Sequence, residues 1–193
     1  MKSFQQYILE EMPQHYPSST ISYQKDEKFI PISKRNVQNY IKLGNIDGFL
    51  FMVDQDNMFG FVFDMKDLIN DDNKVLPVMR LSLRDTNING YKQAHFLRIR
   101  KSYAQNNLTS TFYDLYVDKF GGIVSDFEHL EGGKTLWKSL IKNASNSLER
   151  NISLINSKTG EVINKDITNL TDEDTIWSKD SSLKDIVLVY TKI

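Results

Sequence analysis

Apolar and polar residues alternate along much of the first half of the chain, which is the pattern of half-buried β-strands. The stretch VLPVMRLSLRD places Met79, Leu81 and Leu83 on one face and arginines on the other. The stretch AHFLRIRKS alternates in the same way. Before them, GFLFMVDQDNMFGFVFDM contains two aromatic-rich runs around the turn-forming residues DQDN. The pattern therefore predicts a β-hairpin followed by two further strands.

In the second half the apolar residues recur at the spacing of one helix face. The stretch NNLTSTFYDLYVDKFGG predicts a helix near 107–120 that ends at Gly121 and Gly122, and KTLWKSLIKNA predicts the next helix. Between them, IVSD predicts a short buried strand parallel to AHFLRIRKS. The stretches NISLINSKTGEVI, with a turn at SKTG, and IVLVYTKI predict closing strands, separated by a polar loop around Trp177.

The first 44 residues predict an extension built from helical and strand segments. A helix is expected over 3–12, ended by Pro13, and TISYQKDEKFIPI predicts a strand region. The stretch SKRNVQNYIKLG predicts a short helix, with Ser33 as its cap and Gly44 at its end.

The order of these elements indicates the fold class. Antiparallel strands come first, and a strand–helix–strand–helix–strand series follows. This order predicts an α+β protein with a single mixed, mostly antiparallel sheet. The absence of an internal repeat or linker predicts one domain over residues 1–193.

Composition narrows the classes of function. The chain is 40% hydrophobic and 25% charged, as expected of a globular domain, and its formal net charge of −1 offers no overall field for nucleic acid or anionic membrane. The lack of cysteine excludes a disulfide scaffold, a thiolate zinc site and a cysteine nucleophile. No stretch approaches the roughly 20 apolar residues of a membrane span. A cytoplasmic protein without a membrane partner is therefore expected.

The stretch IVSDFEHLEGGKTLW ends in the Gly-Lys-Thr of a phosphate-binding loop. The first glycine that such a loop requires is replaced by Glu128, whose carboxylate would repel phosphate, and Glu131 adds a second carboxylate. Gly132 and Gly133 therefore predict a tight turn from strand to helix.

Four side chains are candidates for catalysis. His95 could act as a base or could be an ordinary core histidine on the apolar face of its strand. Ser125, Asp126 and His129 lie close together at a strand end, where they could form a hydrolytic set or cap the turn. The histidines show no paired spacing, so no metal site is expected.

Four arginines form a candidate partner-binding surface. If the two predicted strands pair antiparallel, Arg80, Arg84, Arg98 and Arg100 share one face beside Phe96. Such a face could be simply solvated, or it could bind an acidic protein. The near-neutral total charge makes nucleic acid the less favoured partner.

From residue 45 to residue 193 the order of elements resembles the acyl-CoA N-acyltransferase (GNAT) superfamily, most closely over Ala94–Ala144. The sequences VSD, EGGKT and LWKSL are also similar to GNAT-like proteins encoded by phages. The resemblance implies a GNAT-like sheet with helices on both faces. It also implies a site for acetyl-CoA between the strands AHFLRIRKS and IVSD.

The family's diphosphate-binding loop has the pattern Arg/Gln-x-x-Gly-x-Gly/Ala, and the matching stretch is AQNNLT. Its three defining positions hold Ala104, Asn107 and Thr109, whose side chains crowd a loop that glycines would open. Asn106, Asn107 and Thr109 are instead typical helix N-caps. If the cofactor binds, the resemblance implies these candidate contacts: Ile99, Ala104, Asn107, Leu108 and Thr109.

Trp137 stands where many family members have the tyrosine that protonates the departing thiolate, and an indole N–H does not ionise usefully. Two hypotheses follow. In the first, the chain is a GNAT-like binding protein without efficient acyltransferase activity and without a cofactor, for instance a phage or mobile-element factor that inhibits a protein in the host cytoplasm. In the second, it is an active acetyl-CoA-dependent N-acyltransferase that acts on a protein or small-molecule amine. The departures from the family pattern favour the first.

Overall fold

The computed structural model describes residues 21–24, 29–104, 107–126, 131–164, 167 and 185–193. These residues form a mixed α+β fold with one large, mostly antiparallel sheet and few helices. The α+β class and the mixed sheet predicted from the order of elements are thereby confirmed. The predicted helix over 3–12 and the loop around Trp177 lie outside the described residues.

The described elements have the following bounds. The strands are β1 (Ile21–Gln24), β2 (Ile32–Ser33), β3 (Ile41–Ile46), β4 (Phe49–Val53), β5 (Phe59–Asp64), β6 (Lys74–Val75), β7 (Met79–Asp85), β8 (Lys92–Arg100), β9 (Gly122–Val124), β10 (Arg150–Asn156), β11 (Val162–Asn164) and β12 (Ile186–Lys192). The helices are α1 (Lys34–Val37), α2 (Met65–Ile69), α3 (Leu108–Phe120) and α4 (Glu131–Ser145), and Lys101–Tyr103 form a single 3-10 turn.

The main sheet has the strand order β11-β10-β12-β9-β8-β7-β5-β4-β3, and β1 also pairs with β8. Strands β9 and β1 run parallel to β8, whereas the neighbours along the rest of this order are antiparallel. Strands β2 and β6 form a small separate pair. The predicted succession of a long strand, a helix and a short parallel strand is confirmed by β8, α3 and β9.

The helix predicted from SKRNVQNYIKLG is wrong over its second half. Helix α1 ends at Val37, and Ile41 begins β3, which pairs with β4. Asp47 and Gly48 connect these two strands with positive φ angles of 52° and 80°, the backbone that an Asp-Gly hairpin turn favours. Gly44 does not end a helix but lies at an irregularity of the β3–β4 pairing, where an added Cβ would be 3.0 Å from the side chain of Leu115.

Two apolar clusters form on opposite sides of β5. Phe59, Phe61 and Phe63 point to one side and pack in the same cluster as Val37 of α1 and Leu68 of α2. The alternate residues point to the other side, where α3 and α4 pack on the sheet around the buried side chains of Val62, Leu97, Phe112, Tyr116, Trp137 and Leu140. Because β-strand side chains alternate between faces, the run FGFVFD serves both clusters.

Helix α3 ends where the sequence predicts. Gly121 has a φ of 85°, and its amide donates to the carbonyl of Val117, so a residue without a Cβ ends the helix at low cost. The start of α4 differs from the prediction. The helix begins at Glu131, so the pair Gly132–Gly133 belongs to its first turn and not to a tight turn before it.

Four tyrosine side chains that are buried or partly buried are expected to make the fold less stable in alkali. Burial raises the pKa of Tyr40 from 10.0 to about 12, and burial also raises the pKa values of Tyr113, Tyr116 and Tyr190. The folded chain therefore holds these protons more tightly than the unfolded chain. We expect the stabilising contribution to be complete below pH 10 and lost as the pH rises through about 12.

Urea unfolding at successive pH values, with tyrosinate absorbance recorded in parallel, measures this effect. The tyrosinate of these four residues should appear together with unfolding. Their titration at the ordinary pKa of tyrosine, with the fold retained, would contradict the expectation.

Candidate functional site

Strand β9 ends after a short stretch of pairing with β8, which leaves an opening beside the rest of that edge of β8. Strand β9 pairs with β8 only at Lys92 and Gln93. The side-chain amide of Gln93 donates to the carbonyl of Ser125 at 2.8 Å and so holds the end of β9 against β8. Beyond this point β8 continues to Arg100, whereas β9 has already ended at Val124.

A β-bulge in β8 places His95 at the mouth of this opening. In the pairing of β7 with β8, Ser82 faces Phe96 and Leu83 faces Ala94, so His95 is the extra residue with no directly opposite partner. Bulges reorient a side chain relative to a regular strand. Strict alternation, from which the sequence placed His95 on the apolar face with Leu97 and Ile99, does not reveal such a residue.

The ring of His95 lies between a carboxylate and a guanidinium. Its Nδ1 is 3.1 Å from Oδ2 of Asp126, a residue that is only 5% exposed, and its Nε2 contacts the Nη2 of Arg84. Because a guanidinium can only donate, Nε2 accepts from Arg84 and Nδ1 carries the proton that is donated to Asp126. This geometry orients the ring and favours the tautomer with the proton on Nδ1, an arrangement that suits an acid–base histidine.

The sequence identifies His95 and Asp126 as candidate residues, but it does not predict that they contact each other. Asp126 follows β9, 31 positions after His95, and the parallel crossover through α3 brings the two together. Arg84, predicted to bind a partner, reaches the same histidine from β7. The spacing of these three residues along the sequence does not predict their contacts, because the contacts depend on the order of the strands in the sheet.

Ser125 is not available as a nucleophile in this geometry. Its hydroxyl is fully buried, donates to the carbonyl of Asp126 at 3.0 Å and accepts from the amide of Leu188 at 2.9 Å. These bonds join the end of β9 to β12. His129, the other member of the candidate hydrolytic set, lies outside the described residues.

A cavity of about 30 Å³ adjoins the histidine–aspartate pair, which is room for one or two water molecules. His95 and Asp126 are its polar walls, and the indole of Trp137 is among its apolar ones. Trp137 is 3% exposed and meets the ring of Tyr113 edge to face, with centroids 5.8 Å apart. The tryptophan is therefore a core residue.

Strand β1 occupies the opening itself. It pairs in parallel with β8 from Leu97 to Arg100. Since β7 pairs along the opposite edge of β8, β1 lies on the edge that faces β9. Of the backbone groups on this edge that β9 leaves without a strand partner, those of Leu97–Arg100 are therefore paired with the chain's own residues 21–24.

The loop that precedes α3 keeps one backbone feature of a glycine loop. Asn107 has φ 47° and ψ 20°, a left-handed conformation that asparagine adopts more readily than most residues other than glycine. It stands at the N-cap position, but its side chain makes no capping hydrogen bond, so the predicted capping by Asn107 is wrong. Thr109 is buried, with its hydroxyl 3.9 Å from the sulfur of Met79, and does not cap the helix either. Asn106 lies outside the described residues.

The candidate cofactor contacts divide into two groups. The side chains of Ile99, Leu108 and Thr109 are buried in the protein, so they offer no surface to a ligand. Ala104 and Asn107 are the exposed members. A coenzyme at this loop would therefore meet an exposed asparagine side chain where the family pattern has a glycine.

The arginine cluster has the predicted pairing. Arg80 lies directly opposite Arg98 in the antiparallel register, and Arg100 follows two residues later on the same face of β8. The guanidinium of Arg98 lies 4.8 Å from the centre of the Phe96 ring, and that of Arg100 lies 5.0 Å from the Tyr103 ring. Arginine and aromatic residues are thus interleaved along this face.

The cluster is less exposed than the sequence indicates. Arg80 is buried at 8% exposure, and the side chain of Arg100 is 12% exposed and lies 3.5 Å from the carboxylate of Asp67. A simply solvated face, one of the two alternatives that the sequence left open, is therefore wrong for these two residues. Arg84 at the other end is exposed.

We expect Asp126→Ala to lose about 1.5–3 kcal/mol of unfolding free energy, because it removes a charge-assisted partner from a mostly buried imidazole. Asp126→Asn, which keeps an acceptor oxygen, should lose less. Urea unfolding measures the difference, and the imidazole nitrogen resonances of His95 should report a changed tautomer balance in both variants. Wild-type stability in the alanine variant would show that the contact contributes nothing.

Within the part of the chain that the structure describes, no helix is both long and apolar enough to cross a membrane. In the same residues, no group of three or more histidine, aspartate or glutamate side chains is arranged to hold a metal ion.

Comparison with known proteins adds no relative. No protein-family model matches the chain, no curated protein matches its sequence, and no solved structure matches its fold. The function is therefore inferred from the geometry of the chain itself.

Proposed function

We propose that this chain is a GNAT-like binding protein without efficient acyltransferase activity, and that it acts as a phage or mobile-element factor that binds and inhibits a host protein in the host cytoplasm. The observation that carries the proposal is the place of β1. It fills the opening between β8 and β9 in which the resemblance places acetyl-CoA.

The order of elements supports the GNAT-like part of the proposal. The antiparallel strands β4, β5, β7 and β8 lead into α3, the parallel strand β9, α4 and the closing strands β10 and β12. Side chains of α1 and α2 join the apolar cluster on one side of β5, and side chains of α3 and α4 join the cluster on the other, which supports helices on both faces.

Competition for the edge of β8 argues against a bound coenzyme. The backbone of Leu97–Arg100 is already paired with β1, so an extended ligand at this edge must first displace that strand. Displacement subtracts the pairing energy of β1 from the affinity of any such ligand. The asparagine side chain at position 107 adds a second obstacle at the diphosphate loop.

Two tyrosine hydroxyls are candidates to replace the missing general acid, and both are engaged elsewhere. Tyr103 donates to Asp64 at 3.2 Å, and Tyr116 donates to Asn57 at 3.0 Å. Burial raises the pKa of each, which makes both poorer proton donors. Trp137, at the position of the family's tyrosine, offers no ionisable group.

One observation favours the alternative, an active acetyl-CoA-dependent N-acyltransferase that acts on a protein or small-molecule amine. His95 is oriented by Asp126 beside a small cavity at the mouth of the opening, which is the geometry of a general base. In this alternative His95 would accept the proton of the attacking amine through Nε2 after Arg84 moves away.

Calorimetric titration with acetyl-CoA distinguishes the two functions. We expect no saturable binding at micromolar ligand, because the coenzyme meets both β1 and the Asn107 side chain. Micromolar binding that releases β1 from β8, seen as faster amide exchange of residues 97–100, would favour the acyltransferase instead.

A further inference from the structure

We propose that the edge of β8 over Leu97–Arg100 binds an extended, acidic segment of a partner protein, which pairs with β8 in place of β1. The inference rests on the proposed binding function and specifies its partner. It treats β1 as an internal occupant of a strand-binding site.

The edge can accept a strand because one is already there. Strand β1 comes from the start of the chain, yet it is inserted beside β8 in the middle of the sheet. Its parallel pairing shows that beyond the end of β9 there is room for an extended backbone with the direction of β8. Addition of a strand to a sheet edge is a general mode of peptide recognition, in which the main chain supplies affinity and alternate side chains supply specificity.

Strand β1 is also suited to exchange. It has only four residues, and among the described residues it pairs with β8 alone. Parallel pairing is slightly weaker per residue than antiparallel pairing. By contrast, the opposite edge of β8 pairs with β7 at nearly every residue from Lys92 to Ile99. Over Leu97–Arg100 a competing strand therefore displaces β1 more easily than β7.

The pairing register indicates which side chains the partner strand needs. Positions paired with Leu97 and Ile99 lie on the side of the sheet where these two residues join the apolar core, so an incoming strand needs apolar residues there. Positions paired with Arg98 and Arg100 lie on the arginine side. Opposite charges at directly paired positions stabilise a sheet, so acidic residues are favoured there.

The sequence of β1 also alternates between apolar and polar residues, but it has no charged side chain. Its residues Ile21, Ser22, Tyr23 and Gln24 pair in order with Leu97, Arg98, Ile99 and Arg100. The two positions opposite arginines hold neutral polar residues. A partner strand with Glu or Asp at these positions matches the apolar pattern of β1 and adds charge complementarity.

Labelled peptides test the proposal on the full chain. We expect a short peptide with Ile-Glu-Tyr-Glu at its centre to bind with saturable fluorescence anisotropy, about tenfold more tightly than the Ile-Ser-Tyr-Gln peptide and more tightly still than Ile-Lys-Tyr-Lys. Raised salt should reduce the difference between the three. Equal affinity for all three, or no binding of the acidic peptide, overturns the proposal.

A reversible disulfide that links β1 to β8 gives a second test, and this test does not depend on a variant that unfolds. The chain has no cysteine, so Ile21→Cys with Leu97→Cys creates one pair at directly paired positions, within the spacing that a disulfide spans. The oxidised protein should bind the acidic peptide at least about tenfold more weakly, and reduction of the same sample should restore binding. Leu97→Cys alone is the matched control and should not respond to the redox state. Unchanged binding in the locked protein overturns the proposal.

The same samples separate this inference from the proposed function. If the acidic peptide does not bind, and acetyl-CoA neither binds nor reacts, the strand-binding site is wrong. The proposal of a binding protein without acyltransferase activity is then retained. If acetyl-CoA binds at micromolar concentration, displaces the peptide and is turned over, the proposed function is wrong as well.

Discussion

Incubated with acetyl-CoA and a set of amine acceptors, the protein is expected to release free thiol no faster than the uncatalysed background. The first reason is binding. The coenzyme must displace β1 from Leu97–Arg100 and approach the loop past the side chain of Asn107. Loss of even two charge-assisted hydrogen bonds, of about 1.5–3 kcal/mol each, weakens binding by roughly two orders of magnitude or more.

The second reason is proton transfer to the leaving thiolate. Trp137 is buried against Tyr113 and cannot ionise, and the loss of a general acid typically costs about 10²–10⁴ in rate. The binding loss and the proton-transfer loss act on different steps, so they multiply. A thiol-trapping assay at saturating amine measures the combined effect.

The variants His95→Gln and Asp126→Asn make the experiment decisive in both directions. If thiol release is background, neither variant changes it. Release well above background that both variants abolish would identify His95 as the base, and it would place the acyltransferase first. Release above background that neither variant affects would also contradict the prediction, and it would show that His95 is not the base.

The largest effect on stability is expected from Phe112→Ala, at about 3–5 kcal/mol. The Phe112 ring is fully buried and stacks on Tyr116, with centroids 6.0 Å apart. It lies so close to β5 that a Cβ added at Gly60 would be 2.3 Å from its Cζ atom. Truncation leaves a cavity between α3 and the sheet, and a domain of ordinary stability, about 5–15 kcal/mol, loses a large part of its margin.

Gly60→Ala tests the same contact from the strand. Its methyl group has no room beside a ring held by its neighbours, so the variant is expected to lose about 1–3 kcal/mol or more. Combined with Phe112→Ala, the new methyl group enters vacated space, so the double variant should lose less than the sum of the two single changes. Urea unfolding of the four proteins measures this coupling. Simple additivity would show that the two residues do not limit each other.

The sequence alone determined the main elements of this fold, because the information is local. Alternation in VLPVMRLSLRD and AHFLRIRKS follows from strands with one buried face, and the helix over Leu108–Phe120 follows from apolar residues at helical spacing ended by Gly121. The same reasoning failed at Ile41, because Val37, Tyr40 and Ile41 have the spacing of a helix face although Ile41 begins a strand. Only pairing with β4 decided between them.

The tertiary structure decided the candidate site, because every feature of it depends on distant parts of the chain. His95 leaves the regular alternation through a bulge that exists only in the pairing of β7 with β8. Its contact with Asp126 requires β9 to lie beside β8, and its contact with Arg84 requires β7 on the other side. Composition and spacing supply the residue types but not these distances.

The position of β1 shows the same division. Its sequence, ISYQ, is an ordinary alternating strand, and alternation fixes which residues share a face. It does not fix the neighbour, since any edge with free backbone groups can pair with an extended segment. The early end of β9 leaves that edge of β8 within the sheet, and β1 occupies it. The sequence therefore determined that the segment is a strand, and the tertiary structure placed it in the opening where the resemblance expects a cofactor.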